Sequence, residues 1–373
     1  MCCWVLSLTA QNNNINPKSM AYDMPEYQQA KEHLDNRQYP EAEILIVKIL
    51  KKLEEADRTE DYIEMLNLHA KSMMHQWKTD ESLEVYHKMK SLAKDNNLNE
   101  LHSNAIQALA VTYRFKDSFD IEEKLILEGM KLKGLHQNDY SNYYLAYGEI
   151  WNRKNNIDSA LHYANIAYNI DIEINDSISL PKTCQVISFI YDHQNNYDQA
   201  LSYLIEGKSY IQDETNYKHA YFNGDIANVM LSIRNIEKAK YYAEEAVHIA
   251  RVNNLTSTLS DKLSLLGSIE ELQGNYEQAL LHYKEALELN KKPKKINSKI
   301  QLTRGVIASK LHLGQTVNQQ EIDNLVSLKE KTKDENAKSK IDLIQLRYLS
   351  NNNISQSEFE KRSKLLFNKF KKN

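Results

Sequence analysis

The side chains able to do chemistry are present in this chain, but their spacing does not assemble them. The twelve histidines are scattered. His69 and His75 stand six residues apart, which takes them off a common helix face and away from a shared metal ion. Glu122-Glu123 and Glu244-Glu245 are adjacent carboxylates. Neighbours on a helix point about 100° apart and cannot flank one substrate as acid and base, so both pairs are expected on solvated faces. No phosphate-binding G-x-x-x-x-G-K-[ST], dinucleotide-binding G-x-G-x-x-G, nucleophile G-x-S-x-G or zinc-binding H-E-x-x-H occurs. Cys2, Cys3 and Cys184 form no spaced ligand set, and Cys184 is expected to be a buried helical residue. The 23 tyrosines invite a nucleic-acid reading, above all the stretch "DYSNYYLAYGEIW" from Asp139 to Trp151. Stacking platforms for bases need such rings beside Lys or Arg. Few basic residues are interleaved here, and Tyr143, Tyr147 and Trp151 recur at i, i+4 and i+8, the stripe by which a helix packs. The reading is therefore non-enzymatic, with no catalytic residue, no metal site, no cofactor and no nucleic-acid partner.

The elements that carry these residues are helices. The 373 residues include only 9 Gly and 5 Pro, and no Pro lies between Pro40 and Pro181. With so few breakers and 42% hydrophobic residues, a nearly all-helical chain with a sizeable apolar interior is expected. Lys and Arg number 47 against 51 Asp and Glu, a net charge of −4, so no global field draws the chain to nucleic acid or acidic lipid. The basic runs at 291–295 and 361–372 read as solvated loops or helix ends. No run of 18 apolar residues exists, so no membrane span is expected. The opening "MCCWVLSLTA" resembles the tail of a secretory h-region with a cut after Ala10, although no Lys or Arg precedes it and it is short for such a signal. A start placed too far downstream would explain both defects. This reading favours an exported or periplasmic chain over a cytoplasmic one.

A repeat organises the rest. Ala279 in "GNYEQALLHYKEALEL" has equivalents at Ala42, Ser82, Glu122, Ala160, Ala200 and Ala239, spaced by 38 to 40 residues. Three residues earlier stand Tyr39, Thr79, Phe119, Ile157, Tyr197, Ile236 and Tyr276. Twelve residues earlier stand Ala30, Ala70, Ala110, Gly148, Ser188, Ala227 and Gly267, all small. The pattern weakens but continues through Ala308 with Val317 and then Ile354. In each unit a first helix bears the small residue. A second helix begins at the aromatic or branched position, and turn residues such as Gly274-Asn275 lie between the two. One such hairpin cannot bury its apolar stripe, so neighbouring hairpins must stack.

These residues resemble the tetratricopeptide repeat. Gly267, Gly274, Tyr276, Ala279, Tyr283 and Ala286 match its signature, as do Gly148, Ala160 and Ala167. Ser82 with Thr79 and Glu122 depart from it. The resemblance implies an all-α, right-handed solenoid of about nine stacked hairpins. A separate segment would span residues 1–20 and a single solenoid 21–373, clearest over 137–290 and divergent over 291–373. The period of 40 instead of 34 implies helices longer by about a turn.

The resemblance also implies that first helices line a groove, with exposed positions six and three before, and one and four after, the small residue. Those positions nominate Asn104, Gln107, Arg114, Asn142, Leu145, Glu149, Asn152, Gln185, Phe189 and Asn228. Side-chain amides can pair with a peptide backbone through donor and acceptor together. Leu145 and Phe189 could take a ligand's apolar side chains. The expected function is a protein- or peptide-binding scaffold or sensor module, in bacterial signalling or assembly. The alternative is a cytoplasmic, peptide-responsive regulator resembling the aspartate-phosphatase regulators of quorum sensing, which place a separate helical bundle ahead of the repeats. Here the repeats already begin near Tyr22. Gly224 and Gly305, inside expected helices, imply close approach of a ligand or a neighbouring helix.

Overall fold

The computed structural model describes residues 21–213, 215–289 and 296–351, with residues 360, 361 and 364. Among them are seventeen α-helices, one 3-10 turn at Lys329–Lys331 and no strand. They form two compact units, divided between Tyr210 and Ile211. The first unit holds α1 (Pro25–Asp35), α2 (Tyr39–Glu55), α3 (Thr59–His75), α4 (Thr79–Asp95), α5 (Asn99–Phe115), α6 (Phe119–Gly129), α7 (Gln137–Arg153), α8 (Ile157–Glu173), α9 (Leu180–His193) and α10 (Tyr197–Ser209). The second holds α11 (Lys218–Ser232), α12 (Ile236–Val252), α13 (Thr256–Leu272), α14 (Tyr276–Leu289), α15 (Ile296–His312), α16 (Gln319–Ser327) and α17 (Glu335–Asn351). Within each unit consecutive helices pack as antiparallel hairpins, and each hairpin packs on the next. The fold is an all-α solenoid. Helices α1 to α6 belong to this stack and form no separate bundle before it.

The 40-residue period has a simple physical origin. Ten of the helices are 17 residues long, and the typical turn takes three more. Each helix with its turn thus occupies 20 residues, and each hairpin 40. The middle residue of the turn is left-handed: Arg37, Asp57, Trp77, Asn97 and Asp117 follow one another at intervals of 20, all with φ between 52° and 66°. That conformation lets the next two amides turn back onto the helix end. Asp57 N–H reaches Glu54 C=O at 3.2 Å, and Arg58 N–H reaches Leu53 C=O at 3.0 Å, so the last carbonyls are satisfied without a capping side chain. The single 38-residue step falls where α6 stops after 11 residues and a link at 130–136 leads to α7.

Small residues sit where backbones cross. Ala30, Ala42, Ala70, Ala160, Ala200, Ala227, Ala239 and Ala279 have no exposed surface. At Gly148 a Cβ would lie 3.0 Å from the carbonyl oxygen of Ala160 and 3.1 Å from the nitrogen of Ala164, so α7 and α8 meet backbone to backbone. In three hairpins the aromatic at the start of the second helix meets a side chain from the end of the following first helix. The ring of Tyr39 stacks on His75 at 4.4 Å, that of Tyr276 stacks on His312 at 3.8 Å, and the guanidinium of Arg153 lies 5.0 Å over Phe119. Ala308 and Val317 are buried, as the fading repeat predicts, while Ile354 lies outside the described residues. Cys184 is buried.

The tyrosine-rich stretch is core. Tyr143 has no exposed surface and bonds to Ser103 through its hydroxyl at 2.9 Å. Tyr147 packs on Trp151 and Tyr163, at 5.9 and 4.7 Å between ring centroids. The two interior glycines make room for neighbouring side chains of the protein. The Tyr283 ring lies where a Cβ on Gly305 would be, 2.5 Å away, and the Lys262 side chain occupies that space at Gly224, 2.1 Å away.

Candidate functional site

A cleft of about 90 Å³ opens within the first unit, along the first helices α3, α5, α7 and α9. At about 15 Å³ per water this is space for roughly six waters. Asn67, Lys71 and Met74 come from α3, Asn104, Gln107, Val111, Thr112 and Arg114 from α5, Asn142, Ala146 and Glu149 from α7, and Lys182 from α9. Helix α5 contributes the largest share of the wall and α9 adds only Lys182, while from α3 and α7 the lining side chains recur at offsets of three or four residues. That is what a helix face presents to a wall.

Charge in the wall is organised around Arg114. Its Nε donates to Glu122 Oε1 at 2.6 Å and its Nη1 to Glu149 Oε2 at 2.8 Å. Arg153 Nη2 donates to the other oxygen of Glu122, also at 2.6 Å. Glu122 was expected on a solvated face, and the structure corrects this: it has no exposed surface. It takes a crossing position that is Ala in most units, and the two arginines compensate its charge there. Burial works against the charge on Arg114, but Glu149 and Glu122 outweigh it and hold the guanidinium firmly protonated. Burial likewise opposes ionisation of Glu149, yet Arg114, Lys182 and Arg153 keep its carboxyl below the usual range.

Two lysines also reach the cleft, Lys71 from α3 and Lys182 from α9. Burial lowers Lys71 to about 8. Burial also lowers Lys182 to about 8, with Glu149 pulling it up and Arg114 pushing it down. Lys182, Asn104 and Asn142 have no hydrogen-bond partner among the described residues, and the buried Oδ1 of Asn67 has none either. Four helices therefore converge polar groups on one cleft and leave part of their bonding capacity open.

Of the residues nominated from the sequence, Asn104, Gln107, Arg114, Asn142 and Glu149 line this cleft. Gln107 is already engaged, with Nε2 donating to Asp139 Oδ1 at 3.0 Å. Leu145 does not present an apolar surface. It is 2% exposed and packs with Ala160, Ala164 and Ile187, because it faces α8 and not the cleft. Asn152 is buried as well, hydrogen-bonded to His193 at 3.2 Å. Gln185 and Phe189 are half-buried on α9 outside the cleft, the Phe189 ring 4.2 Å from that of His193. Asn228 is exposed on α11, in the second unit.

Asn67 and Lys71 were not nominated, although they occupy the same offsets, three before and one after the small residue Ala70. The signal was present in α3 and was obscured by the departures at Thr79 and Ser82 in the following helix. No metal-ligating group of three or more His, Cys, Asp or Glu is found among the described residues. No helix among them is long and apolar enough to cross a membrane.

Stacked helix hairpins crossing at fixed small residues define a class of protein, the helical-repeat interaction scaffold. Residues 260–293 match the tetratricopeptide repeat family. That match spans a single repeat, and the fold of the chain is similar to that of tetratricopeptide-repeat solenoids. No curated protein sequence matches it significantly. Among solved structures it is similar to the signal-transduction ATPase PH0952 from Pyrococcus horikoshii, which carries a tetratricopeptide repeat sensor. That match has 13% identity, covers 92% of this chain and 53% of that one, and has a TM-score of 0.63. It is also similar to the apo form of RapI, at 16% identity over 93% of this chain and 98% of that one, with a TM-score of 0.57. A chain of the APC/C hetero-tetramer Cut9–Hcn1 matches at 12% identity over 96% of this chain and 62% of that one, with a TM-score of 0.53. At such identities the likeness is one of fold, and folds of this type generally serve as non-catalytic scaffolds for protein partners.

Proposed function

We propose that the protein is a non-enzymatic recognition module whose cleft, on α3, α5, α7 and α9, holds an extended segment of a polypeptide. The carrying observation is that Asn67, Asn104 and Asn142 reach one cleft from three successive first helices with amide groups left open. Successive first helices repeat along the stack, and an extended chain repeats its N–H and C=O groups in a similar way. Amide side chains supply both donor and acceptor to such a backbone. The role we infer is that of a sensor or assembly module in bacterial signalling, and the sensor part of it is in keeping with the tetratricopeptide repeat sensor named for the Pyrococcus horikoshii protein PH0952.

The test is affinity capture from native extract with a photo-crosslinking residue in place of Val111, comparing the wild-type cleft with an Asn104→Ala/Asn142→Ala variant. A polypeptide cross-linked through position 111 in the first and lost in the second is the expected result. Equal cross-linking in both, or none in either, refutes the cleft as the binding site.

A further inference from the structure

Lys71, Arg114 and Lys182 bring cationic side chains to the cleft, and their situations differ. Arg114 is held by Glu122 and Glu149. Lys71 is engaged within the chain. Lys182 is the third residue of α9, half-buried, and has no hydrogen-bond partner among the described residues. An ammonium in the first turn of a helix meets the positive end of the helix dipole, which favours anions. No acidic residue stands in that turn to answer it. Removing the hydration of an ammonium without replacing its hydrogen bonds disfavours the charged form further. Among the charged groups around it, Arg114 on α5 pushes the same way, while Glu149 on α7 and the buried Asp171 on α8 pull the other way. Burial dominates, and the amine is lowered to about 8. A lysine amine held neutral is a nucleophile, and lysine is a residue that accepts acyl groups.

We propose that Lys182 is a covalent modification site, acylated by a compact acyl phosphate that enters the cleft. The site does not depend on which segment the cleft holds. In the step, the lone pair of the neutral Nζ attacks the acyl carbonyl carbon. The C–N bond forms, the C–O bond to phosphate breaks, and phosphate leaves with that electron pair. The nitrogen gives up one proton to water, and an uncharged amide remains. A bulky donor does not suit a cleft of about 90 Å³, whereas an acyl phosphate carries its carbonyl beside a small leaving group. Acylation removes the unfavourable cation from the first turn of α9. It also places an acyl group in the cleft that Asn104 and Asn142 line, which changes the space and the charge offered to any occupant.

The test is a rate measurement on the full chain with acetyl phosphate. Isotope-coded peptide mass spectrometry reads the acetylated fraction at every lysine between pH 7 and 10. At pH 7.5 a lysine titrating near 8 has roughly two hundred times the neutral fraction of one titrating at 10.5. The lower nucleophilicity of a less basic amine offsets part of that gain. Lys182 is therefore expected to react at least tenfold faster than the median lysine, on a rate profile that levels off above about pH 8. In concentrated guanidinium chloride, where the cleft is gone, its rate should fall to within twofold of the median. Reaction of Lys182 at or below the median rate in the folded chain overturns the proposal. So does an advantage that survives unfolding, because the neighbouring sequence and not the cleft would then cause it. A rate still rising tenfold per pH unit above pH 9 marks an ordinary solvated amine and overturns it as well. Acetyl-coenzyme A giving Lys182 the same advantage over the median lysine overturns the compact donor.

Discussion

Replacing Glu122 with alanine tests the account of the wall, because the repeat itself would place alanine there. If the fold needed only a small residue at this crossing, Glu122→Ala would be harmless or favourable. The structure argues otherwise. The carboxylate has no exposed surface and accepts from Arg114 Nε and Arg153 Nη2, each at 2.6 Å. Removing one partner of a buried ion pair costs about 3–5 kcal/mol, because the charge left behind is uncompensated. Arg114 retains Glu149 at 2.8 Å, and the Arg153 side chain, 27% exposed, can turn to water. The low end therefore applies, about 3 kcal/mol. For a domain of this size that is a fall in Tm of about 6–12 °C. Arg153→Met alone should cost about 1 kcal/mol, since Glu122 keeps Arg114, while the double variant should cost at least about 1 kcal/mol less than the two single costs combined. Urea denaturation followed by circular dichroism gives the totals, and amide hydrogen exchange locates the loss in α5 to α7. A cost for Glu122→Ala below about 1 kcal/mol, or strict additivity in the double variant, would refute a buried network and return Glu122 to the solvated face on which the sequence placed it.

Three further outcomes are expected. Arg234 holds φ at 62° on an exposed turn, where a residue with a Cβ is strained by about 1–2 kcal/mol. After the backbone entropy that glycine loses, Arg234→Gly should raise stability by about 0.5 kcal/mol in urea melts. Gly305→Ala should lower stability by about 2 kcal/mol in the same melts, because its Cβ would fall 2.5 Å from the Tyr283 ring, itself fixed by Ser268 and Glu271. Burial raises Asp171 above the ordinary 3.8, against hydrogen bonds from Ser141 and Thr183 that lower it. A carboxyl raised in the folded state adds no penalty below pH 3.8 and destabilises as pH rises through its folded value. Asp171→Asn should therefore gain stability relative to wild type as pH rises above 3.8, and a difference that stays flat from pH 3 upward would contradict the assignment.

The stack was legible in the sequence and much of the cleft was not, for one physical reason. Stacking repeats the same crossing in every hairpin, so Ala30, Ala70, Ala110 and Gly148 recur at fixed intervals and a single chain exposes the rule. Contacts across the stack are made once. Glu122 meets Arg114 eight residues away around a turn and Arg153 thirty-one residues away in the next hairpin, and no helical period connects them. Leu145 was misplaced for the related reason that a fixed offset from Gly148 describes an average hairpin, whereas α7 turns this position onto Ala160 and Ala164. Asn67 and Lys71 obey the offsets fully and were lost only because α4 begins at Thr79 and carries Ser82. Those departures lie in the hairpins that build the cleft. A hairpin with alanine at every crossing needs no charge inside it, while one that buries Glu122 must bring arginines inward. Arg114, once drawn in, must also hold Glu149. One position where the repeat signature fails, Glu122, is therefore what draws charge into this part of the wall.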